Sequence, residues 1–244
     1  METDQPIVAL LPDFCPQTFA RGINWNWTRS GEVTIVPCPN GATGLARWAC
    51  LDDGRWSTTS PHNLVPHPDL SDCKSASMTN LEARVREEDP EDVVVSTLAH
   101  LTSKMTGRLF GGDLESSVAI LRTVANRLQY LLQTQADSFY NKESYVQQVF
   151  QNVLRSASNL LAEENRAVWW DLHPSQRMKT ATSLLLALEE NAFLLAEVTN
   201  SPEIIQETSN SIGKKMFSYL KKPLTLSLRI RFSHAFTELP CNFL

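Results

Sequence analysis

Residues 110–132 read FGGDLESSVAILRTVANRLQYLL and space Val118, Leu121, Ala125, Leu128 and Leu132 at intervals of 3, 4, 3 and 4. An α-helix turns about 100° per residue, so these five side chains share one face. The stretch is therefore expected to be an amphipathic helix, and a single helix cannot bury its apolar stripe alone. Partners lie on both sides. Upstream, Val94, Leu98, Leu101 and Met105 repeat at 4-3-4; downstream, Val146, Phe150, Val153, Ala157 and Leu160 repeat at 4-3-4-3. A fourth helix runs through SQRMKTATSLLLALEENAFLLAEV, with Pro174 placed in its first turn. MTGRLFGGD and QADSFYNKES read as connections. The expectation for residues 78–200 is an antiparallel helical bundle with Met105, Phe150 and Phe193 in its core. The short WWDLHP motif reads as a small helix packed on the bundle rather than as a ligand-binding aromatic patch.

Before residue 78 the texture is different. Four of the five cysteines (Cys15, Cys38, Cys50, Cys73) and four of the six tryptophans (Trp25, Trp27, Trp48, Trp56) lie in the first 73 residues. The text between them is turn-rich: PCPNGATG, LDDGRW, VPHPDLSDC. A module of about 60 residues gains only roughly 3–5 kcal/mol from its core, so it needs staples. Two disulfides in an oxidising compartment fit best. Zinc sites pair ligands at C-x(2–4)-C, unlike the wide gaps here, and free buried thiols are the remaining alternative. Spacing alone leaves all three connectivities open. Trp27, Trp48 and Trp56 are expected in the module core, and Asn26-Trp27-Thr28 is an acceptor sequon for N-glycosylation. The predicted organisation is an N-terminal extension (1–14), a β-rich disulfide module (15–73), a helical domain (78–200) and a divergent basic tail (201–244).

The constellation formed by Cys15, Trp27, Gly31, Cys38-Pro39, Cys50, Gly54, Trp56, Leu70 and Cys73 resembles the hormone-receptor domain of adhesion G-protein-coupled receptors. FGGDLESSVAILRTVANRLQ, AVWWDL and TATSLLLALEENAFLLAE resemble helical subdomain A of the GAIN domain, in the order found in latrophilins. The resemblance covers residues 15 to about 200. It implies the pairing Cys15–Cys50 and Cys38–Cys73, and a place on the extracellular side of the plasma membrane in a receptor that couples adhesion to G-protein signalling. It also implies GAIN subdomain B as a neighbour and protein ligands bound elsewhere in the receptor. The secretin-type relatives have a third bridge, so no hormone follows from this module.

His100-Leu101-Thr102 matches the tripeptide at which such receptors cut their own chain. There the histidine deprotonates the threonine hydroxyl, which attacks a peptide held in a strained turn. Here Leu101 falls on the first helical stripe, with His100 and Thr102 about 100° to either side, so the triplet reads as ordinary helix. No other catalytic motif is present, and the five histidines are scattered. Glu163-Glu164 and Glu189-Glu190 are adjacent carboxylates that diverge on a helix and read as solvated surface. The expectation is a chain with no catalytic residues, metal, cofactor or small-molecule substrate.

The net charge of −5 is unevenly distributed. Residues 208–237 carry Lys214, Lys215, Lys221, Lys222, Arg229 and Arg231 with no acidic side chain, so the rest of the chain nets −11. An acidic body argues against nucleic acid as a partner. No stretch is long and apolar enough for a membrane helix, and the acidic start METDQPIVALLPDF does not read as a signal peptide. In the tail, LTLSLRIRF alternates Leu224, Leu226, Leu228, Ile230 and Phe232 with polar residues, which predicts a strand over 224–232 and leaves Cys241 without an obvious partner. Three readings of the tail stand side by side: an incomplete gene model, a secreted ectodomain isoform acting as a ligand decoy, and a basic membrane- or partner-binding segment.

Overall fold

The computed structural model describes residues 13–58, 65–103, 109–134 and 141–199, and the pairs 204–205 and 217–218. The chain is mainly α, with a small disulfide-stapled β module at the N-terminal side. The expected strand 224–232, Met105 and Cys241 lie outside the described residues.

The module is built from short antiparallel pairs. Strand β1 (Phe14–Cys15) pairs with β4 (Thr28–Arg29), β2 (Thr18–Ala20) with β3 (Ile23–Trp25), and β5 (Val33–Pro37) with β6 (Leu45–Ala49). Ala20 pairs with Ile23, leaving Arg21-Gly22 as a two-residue turn with φ of 53° and 82°. Positive φ at both central residues is the type I′ geometry that matches strand twist. Disulfides Cys15–Cys50 and Cys38–Cys73 close these pairs around one core, with Cα separations of 5.7 and 5.6 Å. In that core Trp25 meets Trp48 edge-on at 5.3 Å, and Trp48 stacks on Trp56 at 4.6 Å.

Trp27 is a correction. It is 65% exposed, and the wholly buried indole is that of Trp25. Side chains alternate along a strand, so β3 turns Ile23 and Trp25 inward and Asn24 outward. Trp27 lies in the link from β3 to β4, beyond that alternation.

Six α-helices follow among the described residues: α1 (Ala76–Arg86), α2 (Glu91–Leu101), α3 (Gly111–Thr134), α4 (Lys142–Leu160), α5 (Arg166–Trp170) and α6 (Pro174–Val198). The predicted stripes are the buried ones. Val118, Leu121, Ala125 and Leu128 of α3 and all five named residues of α4 are in the bundle core, with Leu132 packed at its edge. Helix α3 packs on α6, α2 on α4, and α4 on α6. Helix α6 begins with Pro174 at its first position and a capping box from His173 and Gln176. The WWDLHP motif ends the short helix α5 and leads into α6; its Trp169 is buried and donates its indole N–H to Leu160 O at 2.8 Å.

Two core assignments change. Phe193 is 44% exposed, on the outer side of α6. On α2 the buried stripe runs through Val94, Val95, Leu98 and Ala99 to Thr102, while Leu101 is only partly buried.

Candidate functional site at the junction of module and bundle

The described residues bring no group of three or more potential metal ligands together. The densest polar chemistry lies instead where the disulfide module meets the helices. At its centre is Asp171, the residue that ends α5, with 0% exposure. Arg21, at the tip of the β2–β3 turn, donates Nε to Asp171 Oδ1 at 2.7 Å and Nη2 to Oδ2 at 2.5 Å. This two-pronged geometry is the strongest carboxylate contact a side chain can make. His67 Nε2 lies 2.9 Å from Asp171 Oδ1. Arg21 Nη2 also donates to Leu109 O at 2.8 Å, and the Arg21 guanidinium sits 5.8 Å from the centre of the Phe110 ring. An arginine held at positive φ is uncommon, because a Cβ there crowds the backbone. Here the turn aims a cation from the module into the bundle.

Backbone contacts reinforce the ion pair. Leu70 N donates to Asp171 O at 3.2 Å, and Gly112 N donates to Cys73 O at 3.1 Å. A Cβ added to Gly112 would lie 2.5 Å from Cys73 O, and one added to Gly111 would lie 3.0 Å from Ser71 Cα. The paired glycines therefore let the start of α3 close against the end of the module. Phe110 is buried in the module's core although it directly precedes the first α3 residue.

Asp113 ties the next layer. Its carboxylate accepts from Ser75 N at 2.8 Å, Ser75 Oγ at 3.0 Å and Phe110 N at 3.0 Å. Ser75 in turn caps α1 by accepting from Met78 N. Burial pushes the Asp113 carboxyl above its ordinary range, against the pull of these donors and of Lys74. Beside it a groove of about 410 Å³ is lined by Ser71, Asp72, Lys74, Glu82, Glu115 and Ser116 among others. Lys74 Nζ donates to Glu82 Oε1 there at 2.7 Å, and Arg47 pairs with Asp72 nearby. On the far side of Asp171, Arg177 donates to Trp169 O at 2.9 Å and Leu172 O at 3.0 Å and stacks 4.0 Å from the Trp170 ring. Burial lowers its guanidinium to about 10.

The residues marked by their types in the sequence are elsewhere. Trp48 and Trp56 are inside the module, donating their indole N–H groups to Ser57 O and Pro16 O. Asn26 is exposed, and Thr28 of the sequon is buried with its hydroxyl 2.5 Å from that of Thr34. His100 and Leu101 complete α2, and Thr102 is its cap. Thr102 is 1% exposed, and its hydroxyl donates to Leu98 O at 2.9 Å and lies 3.2 Å from Asn159 Nδ2. Glu163 and Glu164 are exposed in a single 3₁₀ turn.

Arg21, His67 and Asp171 were not singled out by sequence reasoning, because a lone charge in a chain that is 20% charged looks like surface. The one available signal was Arg-Gly at a hairpin tip beside an inward Trp25.

Comparison with known proteins covers both halves of this junction. A family profile described as hormone receptor domain matches residues 12–76, and one described as AGRL2-4 GAIN subdomain A matches residues 75–196. The chain is 31% identical over 244 residues to Latrophilin Cirl of Drosophila ananassae, which covers 81% of this chain and 14% of the fly protein. It is 32% identical over 247 residues to the protein of that name in Drosophila pseudoobscura pseudoobscura, with the same shares. It is 30% identical over 201 residues to Adhesion G protein-coupled receptor L1 of Homo sapiens, covering 78% of this chain and 13% of the human protein. The chain thus spans about one seventh of the length of the relatives it matches.

Proposed function

Given that this chain belongs to the latrophilin group of adhesion G-protein-coupled receptors, we propose that it works as a rigid extracellular unit of such a receptor, supporting adhesion-linked signalling without catalysis of its own. In this reading residues 15–73 and 78–200 are its two domains, presented on the outer side of the plasma membrane. Its neighbour in the receptor is GAIN subdomain B, and ligands are bound by other extracellular domains. The observation that supports it is the fully buried Asp171 carboxylate, which Arg21 and His67 reach from two separate loops of the disulfide module. A flexible tether between two modules would need no such contact; a unit that transmits orientation or tension does.

The same reading makes Cys15–Cys50 and Cys38–Cys73 structural staples of an exported protein and Asn26 its glycan acceptor. His100-Leu101-Thr102 is then helix end rather than cleavage site. The Thr102 hydroxyl already bonds within the helix, and Thr102 N donates to Leu98 O, which leaves a relaxed peptide.

The test is expression in cells behind a secretory leader. The expected product carries two disulfides and a glycan that Asn26→Gln removes, and it has no break between Leu101 and Thr102. Free thiols at the four module cysteines, or a chain that enters the secretory pathway and is never glycosylated, would overturn the extracellular reading. A second reading, a secreted decoy that competes for receptor ligands, is favoured by one observation. Each module closes its own hydrophobic core within the described residues. Inhibition of receptor-mediated cell adhesion by the purified chain would support it.

A further inference from the structure

The register of the β2–β3 hairpin gives it two distinct faces. Ala20 packs against the module core, and Ile23 and Trp25 are buried in it, so these side chains make the inner face. Phe19 stands directly opposite Asn24; both are exposed, Phe19 by 65%. Side chains alternate along a strand, which makes this pair part of the outer face. The alternation holds one position beyond the paired residues, where Gln17 and Asn26 are exposed as well. Asn26 is thus the diagonal neighbour of Phe19 across the hairpin, at a side-chain spacing of about 7–8 Å. The buried Thr28 donates its hydroxyl to Asn26 O at 3.0 Å, which holds the backbone that aims the Asn26 side chain.

We propose that Phe19 is the platform on which the first sugar of a glycan at Asn26 stacks, so that the glycan clamps the hairpin as well as coating it. The inference rests on the reading of Asn26 as a glycan acceptor. One face of an N-acetylglucosamine ring presents only axial C–H groups, which carry partial positive charge. The face of an aromatic ring is its negative side, so the two attract, and stacking removes apolar surface of both from water. The diagonal spacing leaves room for one sugar ring between the Asn26 amide and the Phe19 ring.

Two other exposed aromatic rings lie nearby in sequence. Phe14 faces Arg29 in a separate strand pair. Trp27 adjoins Asn26 in the link between β3 and β4, where no strand register sets it against the Asn26 side chain. Phe19 alone shares a defined face with Asn26. The consequence reaches the junction of the two domains. The tip of this hairpin carries Arg21 to Asp171, so a sugar that braces the hairpin also steadies the contact between module and bundle.

The experiment uses the full chain, secreted by cells that make only oligomannose glycans, and its Asn26→Gln variant, each with and without Phe19→Ala. Intact mass reads glycan occupancy, and only occupied protein enters the glycosylated arm. Module stability is read from the near-ultraviolet tryptophan signal in urea. Phe19→Ala is expected to lower the folded-to-unfolded ratio roughly three- to tenfold in glycosylated protein, the scale of one aromatic stacking contact. In the Asn26→Gln background the loss is expected to stay within about twofold, as for an ordinary surface change. Trimming the glycan to a single N-acetylglucosamine with an endoglycosidase should preserve this difference, and Trp27→Ala should cost the same in both backgrounds. The proposal is overturned if Phe19→Ala costs the same with and without the glycan, if trimming abolishes the difference, or if the difference belongs to Trp27. Each of those results leaves the glycan acceptor reading standing, whereas an unoccupied Asn26 in secreted protein sinks both.

Discussion

At the scale of single residues, the junction rests on one carboxylate. Asp171 is inaccessible to solvent and bound by Arg21 and His67, so deleting it strands the largely buried Arg21 guanidinium. Breaking a buried pair in this way costs about 3–5 kcal/mol. Asp171→Ala is therefore expected to lower unfolding free energy by that amount in urea titrations, with Asp171→Asn losing less because it can still accept. Gly112→Ala is expected to destabilise by about 1–3 kcal/mol, since its methyl would press on the Cys73 carbonyl, which is backbone and has little room to yield.

Asp113 gives a pH signature. Its folded pKa is raised, chiefly by burial, so the folded state disfavours ionisation. Its favourable contribution is complete below the unfolded pKa and is lost as pH rises through the folded one. Asp113→Asn has no such titration. The stability of the variant relative to the parent should therefore improve from about pH 4 to about pH 7, measured by urea unfolding at both.

Secondary-structure elements show where periodicity was a sufficient guide. The stripes of α3 and α4 and the Pro174 start of α6 are local properties, and the helices follow them. The end of α2 did not follow. The stripe was expected through Leu101, yet Thr102 turns inward because its hydroxyl closes the last turn on Leu98 O and receives Asn159 from α4. Thr102→Ala is expected to cost about 0.5–1.5 kcal/mol, the net worth of a lost hydrogen bond, because the partly buried Asn159 amide keeps its bond to Ala99 O, with the intact mass of the chain unchanged on incubation. In the module, each disulfide spans 35 residues of sequence. Replacing Cys38 and Cys73 by Ser should remove about 4 kcal/mol by the chain-entropy estimate, read as loss of the near-ultraviolet tryptophan signal while the helical signal persists.

For the whole molecule, the question is whether two cores behave as one. The module cluster includes Phe110, which belongs by sequence to the helical segment, and the start of α3 closes on the module's last disulfide residue. A single cooperative thermal transition is expected for the parent chain. Arg21→Ala should split it into two by calorimetry, because it severs the main polar link between units whose separate cores stay intact. One broad transition unchanged by Arg21→Ala would show that the contact carries no coupling.

Much of this architecture was legible from the chain alone, for a physical reason. Helical periodicity, a capped helix start and clustered cysteines with turn residues are encoded within a few positions of each other, so the mainly helical fold with a stapled N-terminal module could be read directly. The tertiary structure alone decided which tryptophan is inside, since Trp25 and Trp27, two residues apart, would share a face if the strand continued, and β3 ends at Trp25. It alone decided that Phe193 faces outward, since both sides of α6 are apolar and only the neighbouring helices choose between them. And it alone brought Arg21 and His67 to Asp171, across 150 and 104 residues of chain. Charges so far apart carry no mutual signature in sequence; their pairing exists only where two folded surfaces close and exclude water.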